Sequence, residues 1–386
     1  MRDVSKILSY EDAEYYGRKR MPKGTQQMVE GGTGLGKTVQ ENQDAFQTLK
    51  FRPRTGVAVP NPDLSTTVVG FPVSMPVLTA PTGNVRTVHR DGEPAVARAT
   101  GDAGTIAVVS TMMGYPIEEV IAASKGTVFF QLYFVGGRSN VEVMIDRAKR
   151  AGAGALVVTI DLAAYAQRER NARMRVDGPL TVNLRNALTY GPQFAFKPAW
   201  LLDFLRDGMQ VNTPMWVQNN QPTEMWTASK TMLEDSPTFE DLEWIRELWG
   251  GPLIVKGIMN PDDARRAVDA GANGIIVSNH GGNTIDGARP TIFALPEIVD
   301  AVGSDLEVLL DSGVRRGNDV ARALALGARA VLIGRPYVWA LGAAGGAGVS
   351  RILEVFRDQL STTLRLLGCQ SVADLDPSYL VMGDRP

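Results

Sequence analysis

The 386-residue sequence is poor in the residue types that mark several common classes of protein. Its single cysteine, Cys369, can form no internal disulfide, which is typical of proteins from a reducing compartment, so we predict a cytoplasmic protein. No run of about 18 uncharged apolar residues occurs, and we therefore expect no membrane span. The N-terminus is charged throughout and lacks the apolar core of a signal peptide.

The sequence also lacks an excess of charge of either sign. Lysine and arginine total 40 and aspartate and glutamate total 42, so no basic face is indicated and nucleic acid is not an expected partner. We predict no metal site. Only two histidines occur, His89 and His280. Because imidazole is the side chain most easily poised to move protons near neutral pH, His280, which follows a predicted strand beside a glycine pair, is a candidate for a functional role, with a purely structural role as the alternative.

One glycine-rich stretch imitates a nucleotide-binding motif. Residues Gly31–Thr38 match the P-loop pattern GxxxxGK[ST] letter for letter. A P-loop needs a buried strand immediately before it, and residues 22–30 are mostly polar. We therefore predict a glycine-rich loop between two N-terminal helices. The alternative, a nucleotide hydrolase that depends on Lys37, is kept as a minor hypothesis.

From about residue 70, short apolar runs alternate with helical patterns. The runs are Met75–Leu78, Thr105–Val109, Val128–Phe130, Ala155–Val158, Leu253–Val255, Gly274–Val277, Glu307–Leu310 and Ala330–Ile333. The helical patterns are Glu93–Asp102, Val141–Ala151, Pro261–Ala270, Pro296–Val302 and Asn318–Leu326. Continuous apolar strands alternating with helices indicate a parallel sheet covered by helices. Eight units predict an α/β protein with a (β/α)8 TIM barrel, and a doubly wound sheet is the runner-up.

Two segments fall outside this alternation of strands and helices. Residues up to about 70 are predicted to form an N-terminal helical cap. Residues of about 173–238 form a polar insertion after the fourth strand, with aromatic residues at Trp200, Trp216 and Trp226. Because such long connections in compact domains are usually lids or binding loops, we predict a lid over the barrel mouth. An insertion that packs on a neighbouring subunit is the alternative.

Every predicted strand ends in polar residues, and the carboxyl ends of barrel strands are where the chemistry of this fold lies. His280 follows the sixth strand and Asp161 the fourth, and a buried aspartate can orient a histidine. After the last two strands, Gly313, Gly334, Arg315 and Arg335 suit a phosphate. Toward the centre, four further residues could contact a flat polar ring, and they are Ser110, Gln131, Thr159 and Lys256. The sequence thus predicts a phosphate-bearing ligand with an acid–base pair beside it.

At these residues the chain resembles the FMN-dependent 2-hydroxy-acid oxidase and dehydrogenase family, which includes glycolate oxidase. The matching motifs are APTG at 80–83, FQLY at 130–133, VKG at 255–257, SNHGG at 278–282, DSGVRRGND at 311–319 and IGRP at 333–336. The likeness extends from about Met21 to Asp376. It implies one barrel domain over 1–386, bound FMN, and a homo-oligomer, either tetramer or octamer.

The resemblance also implies roles for individual residues. His280 corresponds to the catalytic base that takes the substrate proton while electrons pass to flavin N5, with Asp161 as its partner. Tyr133 corresponds to a tyrosine near the substrate oxygen, and Arg168 to an arginine that clamps the substrate carboxylate. The implied FMN contacts are Pro81, Thr82, Gly83, Ser110, Gln131, Thr159, Lys256, Ser278, Asp311, Ser312, Gly313, Arg315, Gly334 and Arg335.

Three positions depart from the pattern of the family where it contacts substrate. Asn283 stands where a second carboxylate arginine is expected, Met28 replaces a tyrosine and Met112 a bulky aromatic residue. An asparagine could bond an amide or hydroxyl instead of a carboxylate. The variant motif and the LWGG sequence at 248–251 resemble the pre-mycofactocin synthase branch, whose members oxidise a peptide-derived lactam and remove an amine. A 2-hydroxy acid, anchored by Arg168, and such an amine are both left open.

The electron acceptor is left open as oxygen or another oxidant, because one residue near the flavin does not decide it. A third class of function is a barrel that binds phosphate ligands, or carries flavin, without catalysis. That class predicts that a variant without His280 still binds the ligand, and that the parent protein has no turnover that the replacement could abolish.

Overall fold

The computed structural model describes residues 3–164, 169, 191, 193–194, 196–209, 211–218, 221–231 and 236–381. Its centre is a closed barrel of eight parallel strands. The strands are β1 (Val77–Thr79), β2 (Ala107–Ser110), β3 (Val128–Leu132), β4 (Leu156–Thr159), β5 (Leu253–Ile258), β6 (Gly274–Val277), β7 (Glu307–Leu310) and β8 (Ala330–Ile333). Each pairs with the next in chain order and β8 pairs with β1, which confirms the TIM barrel over the doubly wound sheet.

The strands are almost entirely buried, as continuous apolar sequences in a parallel sheet predict. Alternate residues point inward, where Leu78, Phe129 and Leu309 belong to one compact cluster. An antiparallel hairpin of Thr66–Val68 and Phe71–Val73 packs on this cluster, with the ring of Phe71 edge-on to that of Phe129 at 5.4 Å. The interior is therefore a packed core, and polar residues accumulate only at the strand ends.

Helices surround the barrel. They are α1 (Tyr10–Arg20), α2 (Lys23–Glu30), α3 (Lys37–Thr48), α4 (Val85–Val88), α5 (Gly92–Asp102), α6 (Ile117–Ala123), α7 (Gly137–Ala151), α8 (Pro198–Arg206), α9 (Met225–Thr231), α10 (Phe239–Trp249), α11 (Pro261–Asp269), α12 (Thr291–Val302), α13 (Gly317–Ala325) and α14 (Arg335–Leu367). The five predicted helices between strands correspond to α5, α7, α11, α12 and α13. In the described part of the chain, no helix is both long enough and apolar enough to span a bilayer.

The N-terminal segment is helical, and its glycine-rich stretch lies between α2 and α3 as predicted. No strand precedes this stretch in the described residues, so the structural requirement of a P-loop is not met. Helix α1 begins at Tyr10 after Ser9, whose hydroxyl accepts a hydrogen bond from the Asp12 amide, a common N-cap. Helix α1 then packs along α14.

The insertion between β4 and β5 is only partly described. It includes α8, an antiparallel hairpin of Asn212–Gln218 and Gln221–Glu224, and α9. Two ion pairs fasten α8 to the barrel side: Arg86 binds Asp207 at 2.7 Å and Arg20 binds Asp203. The indole of Trp200 donates to the carbonyl of Thr87 at 3.0 Å. Helix α8 is therefore held against the barrel mouth by charged and polar contacts.

Candidate active site

A cavity of about 460 Å³ opens at the carboxyl ends of the barrel strands. Its volume lies within the usual range of small-molecule sites. Its walls come from the strand ends, from α2 and from the insertion. The predicted site residues in its wall are Met28, Pro81, Thr82, Gly83, Ser110, Met112, Tyr133, Lys256, His280, Asn283, Asp311, Ser312, Gly313, Arg315, Gly334 and Arg335.

Four more predicted residues stand directly behind the wall. The side-chain oxygen Oε1 of Gln131 accepts a hydrogen bond from the Ser110 hydroxyl at 3.0 Å. Thr159 pairs with Lys256 in the barrel sheet. The other two are Asp161 and Ser278, which bind lining residues as described below. Arg168 lies outside the described residues, so its predicted contact with a carboxylate stays a prediction.

Three side chains form a hydrogen-bonded chain at the cavity. The Tyr133 hydroxyl lies 3.1 Å from Nε2 of His280, and Nδ1 of His280 lies 2.9 Å from Oδ1 of Asp161. The residues follow β3, β6 and β4, so the order of strands in the barrel brings them together. Burial alone would raise the pKa of Asp161, but the imidazole of His280 and the ammonium of Lys256 lower it below its ordinary value. Asp161 is therefore an anion throughout the neutral range.

His280 has an unusual backbone conformation. Its φ is 55°, in the left-handed region that residues other than glycine rarely adopt, and Gly281 and Gly282 follow with φ of 64° and 76°. The His280 amide donates to the Ser278 hydroxyl at 3.1 Å. This turn directs the imidazole back across the strand ends toward Tyr133 and Asp161.

A buried cation lies on the next side of the cavity. Nζ of Lys256 is 3.1 Å from Oδ2 of Asp311 and donates to the Ser278 hydroxyl at 2.8 Å. The Ser312 hydroxyl donates to the other carboxylate oxygen of Asp311 at 2.7 Å. Since the lysine is 3% exposed and lines the cavity, its charge acts on a ligand with little screening by water.

Several buried polar atoms near the cavity have no hydrogen-bond partner among the described residues: Nε2 of Gln131, Oγ1 of Thr159 and Nε of Arg315. Buried polar atoms normally have partners, so these donors indicate a polar ligand. At Gly334 a Cβ would meet its nearest atoms only at 3.8 Å, on Thr82, so the glycine keeps that stretch of wall open. The donors of Gln131 and Thr159 at one end of the cavity could contact a flat ring, and the arginines at the other end could bind a phosphate. This arrangement fits a flavin mononucleotide.

Arg335 and Asn283, both predicted to contact ligands, also make hydrogen bonds within the protein. Arg335 donates to the carbonyls of Glu30 and Gly281, both at 2.9 Å. Oδ1 of the Asn283 side chain accepts from the Gly32 amide at 2.8 Å, and Nδ2 of the same side chain donates to the His280 carbonyl at 2.7 Å. The substrate contact predicted for Asn283 thus depends on the hydrogen-bonding capacity left over from these two bonds.

The insertion supplies lining residues, among them Phe194, Trp200, Phe204 and Glu224, whose place in the wall the sequence alone did not show. The ring of Trp200 is stacked between those of Phe194 and Phe204, and all three line the cavity together with Glu224 and Met225. Trp200 and Phe204 are one helical turn apart on α8, so their spacing indicated a shared face. Nothing in the sequence showed that this face is turned toward the barrel mouth.

The second histidine is not part of the site. His89 lies below the wall, where its Nδ1 accepts a hydrogen bond from the Asp91 amide at 3.2 Å. Burial, together with the charge of Arg20, lowers the pKa of His89 to about 4. His280 is therefore the histidine that lines the cavity.

Comparison with known proteins supports the resemblance seen in the sequence. A family model for FMN-dependent dehydrogenase matches residues 17–382. The pre-mycofactocin synthase of Mycobacterium tuberculosis (strain CDC 1551 / Oshkosh) is 43% identical over 374 residues, which are 96% of this chain and 93% of that protein. Glycolate oxidase 5 of Oryza sativa subsp. japonica is 36% identical over 383 residues, 99% of this chain and 96% of that protein.

The fold is likewise shared with a solved relative. The crystal structure of the monotopic membrane protein (S)-mandelate dehydrogenase superposes with a TM-score of 0.91 at 35% sequence identity, covering 97% of this chain and 99% of that one. Family, barrel and cavity therefore agree. The chain belongs to the FMN-dependent dehydrogenase family and is an FMN-dependent enzyme of the α-hydroxy-acid oxidase and dehydrogenase type.

Proposed function

We propose that the enzyme oxidises the α carbon of a 2-hydroxy acid or a related substrate, with His280 as the base and flavin N5 as the electron acceptor. The observation that carries the proposal is the hydrogen-bonded chain of Tyr133, His280 and Asp161 at the cavity. FMN, when bound, supplies a two-electron acceptor. The residues of the chain supply the acid–base chemistry and the orientation.

The base function follows from the hydrogen bonds of the imidazole. Because Asp161 is an anion, it holds the proton of His280 on Nδ1 and leaves the Nε2 lone pair for the substrate proton. Once Nε2 is protonated, the same carboxylate stabilises the imidazolium. The Tyr133 hydroxyl, at 3.1 Å from Nε2, is placed to orient the substrate oxygen beside the base.

The cofactor would lie along the wall from β2 to β8. Ser110, Gln131 and Thr159 offer polar atoms to the ring, and Lys256 offers a positive charge to flavin N1. At the other end, Gly313, Gly334, Arg315 and Arg335 would bind the phosphate, where the loops after β7 and β8 usually hold one. Pro81, Thr82 and Gly83 would line the ring face beside the strand end of β1.

A second candidate is the oxidation of a peptide-derived amine or lactam, with loss of the amine. Glu224 places a carboxylate in the wall, and beyond Lys256, Arg315 and Arg335 no lysine or arginine of the described residues lines the cavity. That set favours an uncharged or cationic substrate over an acid unless Arg168 supplies the anchor. The 43% identity to a pre-mycofactocin synthase supports the same reading.

The test is an absorption spectrum of the purified protein, followed by anaerobic addition of glycolate, (S)-mandelate and a peptide-derived amino-lactam. Bleaching of the flavin by a hydroxy acid supports the first candidate, and bleaching by the lactam alone supports the second. His280→Ala should bind FMN and lose bleaching by at least about a thousandfold, since it lacks its base. Bleaching by His280→Ala at the rate of the parent enzyme would refute the proposed base. Readmission of oxygen to the reduced enzyme then tests whether oxygen serves as the electron acceptor.

Two further expectations extend the proposal. We propose that the chain forms a homotetramer or octamer and works in the cytoplasm, as the resemblance and the single cysteine indicate. Light scattering on the eluting holoenzyme measures the assembly, and a monomer would contradict it. We also propose that the chain forms one domain, in which residues of about 1–70 form a cap and residues of about 173–238 form a lid.

A further inference from the structure

The loop that imitates a P-loop is not free in the folded chain. We call residues 31–38 the glycine loop and residues 279–287 the histidine turn. The two segments lie against each other although they are about 250 residues apart in sequence. A Cβ at Gly31 would lie 2.3 Å from Oδ1 of Asn283, and one at Gly282 would lie 2.8 Å from the Val39 amide nitrogen. Glycine at these two positions therefore permits the close approach of the two segments.

The strongest link between the two segments is the carboxylate of Asp286. Its Oδ2 accepts from the Leu35 amide at 2.8 Å, and its Oδ1 accepts from the Thr38 amide at 2.9 Å. The Thr38 hydroxyl in turn accepts from the Gly287 amide at 2.7 Å. The hydrogen bond from the Thr38 backbone lowers the pKa of Asp286, so the group is ionised at neutral pH. The start of α3 thus binds an anion that belongs to the chain itself.

Other contacts hold the turn closer to His280. The Thr33 amide donates to the Gly282 carbonyl at 3.0 Å. Asn283 bridges the Gly32 amide and the His280 carbonyl. At the start of the turn, the side-chain amides of Asn42 and Asn279 exchange two hydrogen bonds of 2.9 and 2.8 Å, both buried. Helix α3 and the glycine loop therefore contact the turn at its start, middle and end.

The turn needs such support because its backbone is unfavourable in isolation. A non-glycine residue in the left-handed region is strained, and it persists only where the surroundings impose it. On the barrel side, the His280 and Gly281 amides donate to the hydroxyls of Ser278 and Ser312. These bonds hold the near side of the turn. The glycine loop holds the far side.

We propose that Asp286 is a positioning residue for the oxidation: by bonding the glycine loop, it fixes the turn that aims His280 at Tyr133 and Asp161. Asp286 is not among the residues that line the cavity, so it would act through the backbone of the turn. The inference rests on the catalytic role proposed for His280. It gives the P-loop-like motif a structural function in place of the nucleotide site that it imitates.

The test uses the two histidines as reporters. Holoenzyme labelled with ring ¹³C-histidine shows one His89 and one His280 signal, assigned by the loss of one signal in His280→Ala. In Asp286→Asn, which weakens two charge-assisted hydrogen bonds, we expect the His280 signal to move or broaden by more than its linewidth while that of His89 stays. With a substrate identified as above, we expect kcat to fall about tenfold and KM to change less than threefold, because orientation of the base is lost and binding is not.

Two matched variants serve as controls. Asp241 also accepts a backbone amide at a helix start, from Thr238 at 2.9 Å, but lies outside the cavity wall, so Asp241→Asn should leave both signals in place. Lys37→Ala alters the exposed lysine of the glycine loop and should also leave them. If Asp286→Asn does not fold, Thr38→Ala removes the hydroxyl that accepts from Gly287 and should move the His280 signal alone.

Two results overturn the proposal. One is a His280 signal within its linewidth of the parent position in a folded Asp286→Asn or Thr38→Ala variant. The other is an equal displacement in Asp241→Asn. Both readings are taken without substrate, so they remain valid if His280→Ala shows that the proposed base is wrong.

Discussion

The ammonium group of Lys256 lies 3.1 Å from the carboxylate of Asp311, and their side chains are 4% and 9% exposed. The pair joins β5 to the residue that follows β7, both members line the cavity, and Lys256 also bonds Ser278. Removing one member leaves a buried charge with no opposite charge.

Lys256→Met is therefore expected to destabilise the protein by about 3–5 kcal/mol, the usual cost of breaking a buried pair from one side. Urea unfolding at saturating FMN measures the free energy of unfolding. The double variant Lys256→Met with Asp311→Asn removes both charges and should recover much of the loss. Equal stability of the single and double variants would contradict the pairing.

Tyr133→Phe removes the hydroxyl that lies 3.1 Å from Nε2 of His280. We expect kcat to fall on the order of tenfold, since one hydrogen bond is worth about 1 kcal/mol, with no loss of FMN. Stopped-flow reduction of the flavin measures it. Tyr115→Phe is the control, because that hydroxyl donates to the Arg90 carbonyl away from the cavity. A parent rate in Tyr133→Phe would exclude the orienting role.

Two glycines of the wall should respond differently to alanine. Gly334 has space for a Cβ within the wall, with its nearest atoms at 3.8 and 3.9 Å, so Gly334→Ala should keep its melting temperature and bind FMN at least about tenfold more weakly. Gly313 has φ of 97°, and a Cβ there would lie 2.2 Å from the Asn42 carbonyl oxygen. Gly313→Ala should therefore lower the melting temperature itself. Fluorescence titration with FMN and thermal unfolding separate the two effects. Unchanged FMN affinity in Gly334→Ala would contradict the proposal that the FMN phosphate binds beside Gly334.

Glu93 makes the stability of the protein depend on pH. It is 3% exposed, one carboxylate oxygen accepts from the Gly114 amide at 2.9 Å, and the other has no partner within the described chain. Burial raises the pKa of Glu93 from 4.5 to about 7. The folded state therefore holds this proton more tightly than the unfolded state does. Its contribution to stability is complete below about pH 4.5 and is lost as pH rises through 7.

Glu93→Gln keeps the Gly114 bond and cannot ionise. We expect its stability relative to the parent to improve by up to about 3 kcal/mol between pH 4.5 and 8, at about 1.4 kcal/mol per pKa unit. Urea unfolding at several pH values measures the difference. A difference that stays constant with pH would show that Glu93 does not titrate in this range.

The barrel could be predicted because its evidence is local. Each strand contains a continuous apolar run and is three to six residues long, and the eight predicted runs agree with the eight strands within a few residues. Short α6 and the helix α10 beyond the insertion were not predicted. Helix α6 has seven residues and no side-chain cap, whereas α10 does carry start and stop signals, the capping box of Thr238 and Asp241 and a left-handed Gly250. The polar insertion of about 173–238 proved to contain α8, a hairpin and α9 in its described part.

The strand-end residues could also be predicted, because the topology of a barrel brings all its strand ends to one mouth. The sequence could not show which hydrogen-bond partners are supplied by segments that are distant along the chain. Asn283 lines the cavity and also bonds Gly32, 251 residues away, a contact that the sequence did not indicate. The apolar wall of Trp200 and Phe204 depends on where α8 docks, which no local pattern specifies.

The anion held by the glycine loop has a consequence for ligand competition. Asp286 is tethered to its own binding site, so its effective concentration there is millimolar or higher. A free phosphate or nucleotide would have to displace a ligand that cannot diffuse away. The chain thus carries a nucleotide-binding pattern whose backbone donors are already occupied by one of its own carboxylates, and a pattern search that ignores residue 286 would assign the loop to the wrong ligand.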